Sequence, residues 1–296
     1  MSVQTNLVSR LFEQFFSDKT RKKIENTFLV LALLSFFIHL ALIYLLKLDV
    51  ITLSSNSELL SNPISAIYTP FSFILIYEVY LLIFHLPRSF TTYLTKQYEI
   101  ITLIIIRRLF KDFSNIELSS NWFAIKADLE FTYDLIASIL LYFLIYLFIK
   151  QTYKMKKNIS TIEPSIQRFI QKKKVIALVL VPVFFSLAIY TFGSWCMTIF
   201  SESNMESYVG VNNLFFDEFF TVLILVDVIL LLISFFYTDQ FYKIIRNSGF
   251  IISTILLRMS FGVSGLLSTV LILVAVLFGL AIITIHNKYE KNLDLS

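Results

Sequence analysis

The chain is written in long apolar runs separated by short charged ones. A helix needs about 20 apolar residues to cross about 30 Å of hydrocarbon. Six runs meet that length, at roughly 27–46, 64–86, 131–150, 175–198, 215–237 and 263–285. Two shorter runs remain, Ile100 to Phe110 and Phe250 to Phe261. Residues 3–17 repeat at helical spacing instead. Val8, Leu11, Phe12, Phe15 and Phe16 share one face, with Arg10, Glu13 and Gln14 off it, which predicts a helix lying in the membrane interface.

Charge decides whether the short runs count. Cytoplasmic loops carry an excess of Lys and Arg. The stretch 150–174 holds Lys150, Lys154, Lys156, Lys157, Arg168, Lys172, Lys173 and Lys174 against Glu163 alone. The N-terminal stretch is also basic, with Lys19, Arg21, Lys22 and Lys23 before the first run. Two cytoplasmic segments must be joined by an even number of crossings, so a fourth crossing at 96–113 is required. Loop 199–214 carries Glu202 and Glu206 and no Lys or Arg, so it lies outside, while Lys243 and Arg246 mark the next connection as inside. A crossing at 247–262 then returns the tail to the cytoplasm. The expected fold is an all-α integral membrane bundle of eight crossings, six strong and two short, with both termini cytoplasmic.

The two weak crossings match each other. Residues 100–110 and 251–261 agree at five of eleven positions, including Arg107 with Arg258 and Phe110 with Phe261. The preceding helices each carry one deep acid, Glu78 and Asp227. Both halves close alike, Ile149-Lys150-Gln151-Thr152-Tyr153 against Ile285-His286-Asn287-Lys288-Tyr289. Four crossings per half give both halves the same orientation, a parallel repeat about an axis along the membrane normal. The predicted organisation is a cytoplasmic amphipathic segment 1–26, a four-helix unit 27–157, a basic linker 158–174, a second unit 175–287 and a polar tail 288–296.

Each unit then places an acid and an arginine at comparable depth. At 1.5 Å per residue, Glu78 lies roughly 12 Å in from Leu86 and Arg107 roughly 16 Å in from Lys96. Asp227 and Arg258 come out at about 15–17 Å. An unpaired charge at such depth costs on the order of 2.5–3.5 kcal/mol. Two intramembrane pairs are expected, Glu78–Arg107 and Asp227–Arg258. They would serve a gate or ion path, or would simply lock helices together. Arg108 and Lys111 are expected at the outer headgroups, and Asp134, Asp217 and Glu218 on a solvated outer rim. Trp122 and Trp195 fall at belt height, His39 falls mid-span, and Pro70 and Pro182 can kink their spans.

Composition agrees with the pattern. The chain is 57% hydrophobic and 16% charged over 296 residues, where a soluble domain carries about 25% charge. The single Cys196 excludes an internal disulfide and a thiolate metal cluster, and three dispersed histidines offer no metal site. Heavy use of Ile, Phe, Asn and Lys suggests an AT-rich, bacterial source. No phosphate loop, dinucleotide fingerprint, zinc-protease pair or nucleophile elbow is present, so neither an enzyme nor a cofactor is expected. Each unit resembles a voltage-sensor domain in carrying an acid on its second helix. The fourth helices, 131–150 and 263–285, lack that family's arginine ladder, so no membership follows.

The functional expectation is a channel or permeation-type protein of the plasma or inner membrane, working as an oligomer. The alternative is a non-conducting scaffold or regulatory subunit. It would dock a partner or anionic lipid through Lys150, Lys154, Lys156, Lys157, Lys172, Lys173 and Lys174. Partners beyond the bilayer would be further copies or another subunit, and nucleic acid is not expected.

Overall fold

The computed structural model describes residues 10–50, 63–112, 126–155, 164–200, 211–263 and 265–293. Among these residues the regular structure is helical, with no strand. After a helical segment at 10–16 come eight helices: α1 (Asp18–Lys47), α2 (Tyr68–His85), α3 (Phe90–Asp112), α4 (Lys126–Met155), α5 (Pro164–Phe200), α6 (Val211–Phe235), α7 (Phe241–Met259) and α8 (Leu266–Leu293). Short 3₁₀ turns at Pro63–Ile67 and Ser260–Gly262 lead into α2 and out of α7.

Local chemistry sets several of these boundaries. Ser17 caps α1 by accepting the Thr20 N–H at 3.1 Å, with Asp18 in the first turn and Lys47 in the last, charges that suit the helix dipole. Ser89 accepts the Thr92 N–H at 3.2 Å and starts α3 in the same way. Pro70 falls in the first turn of α2, where a missing N–H disrupts no helical bond, so it does not kink the span. Pro182 does lie inside α5. Gly265, at φ +67°, makes the turn into α8, a conformation that L side chains avoid.

Among the described residues, five helical stretches are long and apolar enough to cross a bilayer: Arg10–Lys47, Asp128–Lys154, Glu218–Phe235, Phe241–Gly262 and Leu266–Asn292. Thr69–His85 is apolar but shorter. The short run ending at Phe261 is therefore part of a span-length helix, because α7 begins at Phe241, ahead of its apolar stretch. The other short run sits in α3, which carries Lys96, Glu99, Arg107 and Arg108 along its length.

The outside of the bundle is the apolar side. Leu33, Phe37 and Ile38 of α1 and Ile139, Tyr142 and Phe143 of α4 are all more than half exposed. A face that large and oily suits lipid, not water. Only 17% of the apolar stretch of α1 is buried, against 50% of that of α7. Helices α3 and α7, which carry the two short apolar runs, are interior ones. They bury Tyr93, Gln97, Tyr98 and Thr102 on α3, and Asn247, Ser253, Thr254 and Arg258 on α7. Hydropathy underrates them because their polar groups face protein.

Consecutive helices pack in series within each half, α1 on α2, α2 on α3 and α3 on α4, then α5 on α6, α6 on α7 and α7 on α8. Between halves α3 meets α7, α4 meets α8, and α2 meets α5. Thr269 donates to Asp134 Oδ1 at 2.7 Å near one end of the α4–α8 contact. At the other end Asn287 donates to the Gln151 carbonyl at 2.9 Å. Helices α4 and α8 therefore run in the same direction. The core itself is aromatic. Phe148 meets Tyr98 and Phe250 edge-on at 5.1 and 5.9 Å.

Three expected boundaries change. Residues 164–174, expected within a linker, form the first turns of α5, because Pro164 suits a helix start and the lysines that follow are good helix formers. Residues 288–293 continue α8, and α1 begins at Asp18, before the apolar run at 27. The N-terminal segment also differs from a helix lying free in the interface. Phe16 is buried, stacked on Phe12 at 4.8 Å and beside Tyr80 and Phe84. Tyr80 donates to the Phe15 carbonyl at 3.0 Å. Burial against α2 satisfies these rings, while Leu11 and Phe15 stay exposed. Val8, Trp122, Lys156, Lys157, Glu163, Glu202 and Glu206 lie outside the described residues, as do the side chains of Lys111, Trp195 and Asp217.

Candidate functional site

Four helices bring polar side chains into the centre of the bundle. Helix α6 supplies Asp227. Helix α7 supplies Thr254 and Arg258, one turn apart on a single face. Helix α3 supplies Tyr93 and Gln97 at the same spacing. Helix α5 contributes Lys173, toward its N-terminal end.

Arg258 Nη2 lies 2.9 Å from Asp227 Oδ2, and the two side chains are 4% and 0% exposed. Thr254 Oγ1 lies 3.2 Å from the same carboxylate oxygen and 2.8 Å from the Ile251 carbonyl. Arg258 Nη2 also donates to the Tyr93 hydroxyl at 3.4 Å. Asp227 Oδ1, Arg258 Nη1 and Gln97 Nε2 make no hydrogen bond of good geometry, while the Tyr93 hydroxyl lies close enough to interact with both Gln97 and Asp227. A cavity of about 20 Å³ opens beside them, bounded by Gln97, Thr254, Arg258 and apolar side chains including Leu82, Phe220 and Phe261.

The first half holds a related arrangement. Glu78 is buried, and Arg107 is the charge that acts on it. Arg107 Nη1 donates to the Phe71 carbonyl at 3.3 Å. Phe71 stacks on Phe110 at 5.2 Å, and Phe220 stacks on Phe261 at 4.6 Å. In each half the first phenylalanine stands seven residues before the acid and the second three after the arginine. Those matched spacings are present in the sequence itself.

The expected position of Arg108 and Asp134 is overturned. Arg108 does not reach out to headgroups. It forms a two-pronged pair with Asp134, through Nε to Oδ2 and through Nη2 to Oδ1 at 2.6 Å. Nη1 reaches Ser268 Oγ at 3.1 Å and Nη2 reaches Thr269 Oγ1 at 3.0 Å. Asp134 is buried rather than part of a solvated rim. The pair joins α3, α4 and α8, whose ends meet only once the bundle has formed, so no local spacing announces it. Glu218, by contrast, is exposed. His39 pairs through Nδ1 with Thr69 Oγ1, a bond between α1 and α2.

The basic set is distributed over helix ends. Lys150 and Lys154 are exposed on the last turns of α4. Lys172 lies over the Tyr237 ring at 5.2 Å and Lys174 over Phe12 at 4.9 Å. Lys173 is buried. Its Nζ donates to the Arg88 carbonyl at 3.0 Å and sits over Phe90 at 4.0 Å and Phe169 at 4.9 Å. Burial pushes its ammonium down to about 7, with Asp227 pulling the other way. No cluster of three or more His, Cys, Asp or Glu able to hold a metal occurs among the described residues.

No family model, curated protein or solved structure matches this chain. What can be said of its class rests on the apolar helices, which make it a helical membrane protein.

Proposed function

We propose that this is an eight-crossing membrane scaffold or regulatory subunit that does not itself conduct, built as two parallel four-helix units with both termini in the cytoplasm. The observation that carries the reading is the closed state of the acids. Glu78 and Asp227 are both buried, and the cavity beside Asp227 has a volume of about 20 Å³. That is room for one water-sized occupant rather than a file of ions. The two matched Phe–Phe stacks and the common direction of α4 and α8 support the repeat. Lys150, Lys154, Lys172 and Lys174, at one end of the bundle, supply the basic face that would dock anionic headgroups, each worth about 1 kcal/mol near such a surface.

A permeation role has one observation in its favour, the buried cluster of polar side chains around Asp227. Reconstitution into liposomes with an ion-flux assay decides between the two. The scaffold reading expects flux no greater than from empty liposomes. Protein-dependent flux that Asp227→Asn or Glu78→Gln alters would replace it with the permeation reading.

A further inference from the structure

Helix α4 keeps one face that its packing against α3 and α8 leaves open. Leu135, Ile139, Tyr142 and Tyr146 fall on it at successive spacings of four, three and four residues, the a/d rhythm of helix-to-helix seams. Tyr142 is 76% exposed and Tyr146 56%, and neither hydroxyl meets a partner among the described residues. Their depth sets them apart. In the span-length stretch Asp128–Lys154, Tyr142 stands roughly 21 Å from one end and 18 Å from the other, at the middle of the hydrocarbon. Tyr146 is one turn nearer Lys154, but a helical side chain leans toward the N-terminus of its helix, which carries its ring back inward. A tyrosine facing lipid belongs at the interface, where its hydroxyl is wet. A hydroxyl held in hydrocarbon without a partner is costly. The open face of α1 shows the ordinary solution, with Leu33, Leu34, Phe37 and Ile38 in the middle of its apolar run and no hydroxyl among them.

Lipid tails cannot satisfy these two groups, whereas a second copy of the chain can. Two copies in one membrane share one orientation, so a twofold axis along the membrane normal sets their α4 helices parallel, with each residue of the seam opposite its own counterpart. That arrangement asks for a self-complementary group. A hydroxyl is one, since it both donates and accepts. We propose that the protein forms a homodimer through the open faces of α4, in which Leu135 and Ile139 pack and the hydroxyls of Tyr142 and Tyr146 hydrogen-bond across the axis. Lys150 stands one turn beyond Tyr146, at the flank of the seam, where its long stem carries the ammonium out to the headgroups. The dimer requires that α4 cross the membrane and is independent of whether the protein conducts.

The test uses the full-length protein in liposomes, labelled with one fluorophore per chain, with the dimer fraction read by single-molecule photobleaching as the protein is diluted in lipid. Dimers should dominate at high protein-to-lipid ratio and dissociate on dilution. Tyr142→Phe combined with Tyr146→Phe removes two oxygens from an exposed face and leaves the packing within the chain intact. It should raise the mole fraction at half-dissociation roughly five- to tenfold, as expected for two interhelical hydrogen bonds in a membrane. A second measurement does not need that variant. In a Cys196→Ser background, Tyr142→Cys should cross-link between copies under copper phenanthroline, and Phe37→Cys on the open face of α1 should not. Monomers at every dilution would overturn the proposal. A dimer whose midpoint the double variant leaves unchanged, or one that cross-links through Phe37→Cys and not through Tyr142→Cys, has its seam elsewhere and overturns it equally.

Discussion

Asn287 donates its side-chain amide to the main-chain carbonyl of Gln151 at 2.9 Å, and the two residues stand at matched positions in the closing stretches of the two halves. In a bundle with an axis relating its halves, equivalent residues close to that axis touch. Residues on opposite faces of a membrane would not. Cysteines at both positions, in a Cys196→Ser background, should therefore cross-link under mild oxidation and react with an impermeant thiol reagent from the same side. Cleavage in the 156–163 stretch followed by gel electrophoresis reads the cross-link. Two separated fragments would place the residues apart.

The Asp227–Arg258 pair is fully enclosed, so its members are not interchangeable with neutral residues one at a time. Arg258→Met leaves a buried carboxylate and should lower stability by about 3–5 kcal/mol. Asp227→Leu combined with Arg258→Met should recover most of that loss, because apolar side chains can replace a buried pair at little net cost. Reversible unfolding in mixed detergent measures both. A double variant as unstable as the single one would show that the pair contributes through something other than charge balance.

Gly279 marks the tightest approach in the core. A Cβ there would stand 1.8 Å from the Tyr98 hydroxyl oxygen and 3.0 Å from Cζ. Gly279→Ala must push Tyr98 off its 2.7 Å hydrogen bond with Ser253, and should cost about 1–3 kcal/mol as overpacking does. Tyr98→Phe in the same chain should return part of the loss by removing the clashing oxygen. Gly262→Ala meets nothing within 4 Å and serves as the neutral comparison in the same thermal melts.

Lys173 ties stability to pH. Its ammonium is held down to about 7 in the fold, while an unfolded lysine titrates near 10.4. Between these values the unfolded chain binds more protons, so stability should rise as pH rises from about 7 to about 10 and level off on either side. Lys173→Met should abolish that slope and be more stable than the unaltered chain at pH 7. A slope that survives the substitution would assign it to another group.

The legible part of this protein was whatever lipid and topology impose. Apolar length locates the helices, and lysine placement predicts a crossing near 96–113, where the chain forms α3, a helix outside the five that are long and apolar enough to span. The rest depended on contacts between distant segments. Arg108 and Asp134 stand 26 residues apart, and nothing in either helix says that their ends converge beside Ser268. Lys173 looked like one more member of a basic stretch, yet helical phase turns it inward while Lys172 and Lys174 point to the rims. The acid and arginine of each half could be paired by depth, but depth along an axis does not fix rotation about it. The Arg107 hydrogen bond to Phe71, and the reach of Arg258 to Tyr93, came only from the packed bundle.

The interior placement of α3 and α7 carries a consequence for biogenesis. A helix with Lys96, Glu99, Arg107 and Arg108 has little tendency to partition into lipid by itself. It gains a home only when α4 and α8 supply Asp134, Ser268 and Thr269 for its far end. The carboxylate for Arg108 arrives with α4, but the Ser268 and Thr269 hydroxyls arrive only with α8, so the polar end of α3 is fully satisfied only once the last helix has been made.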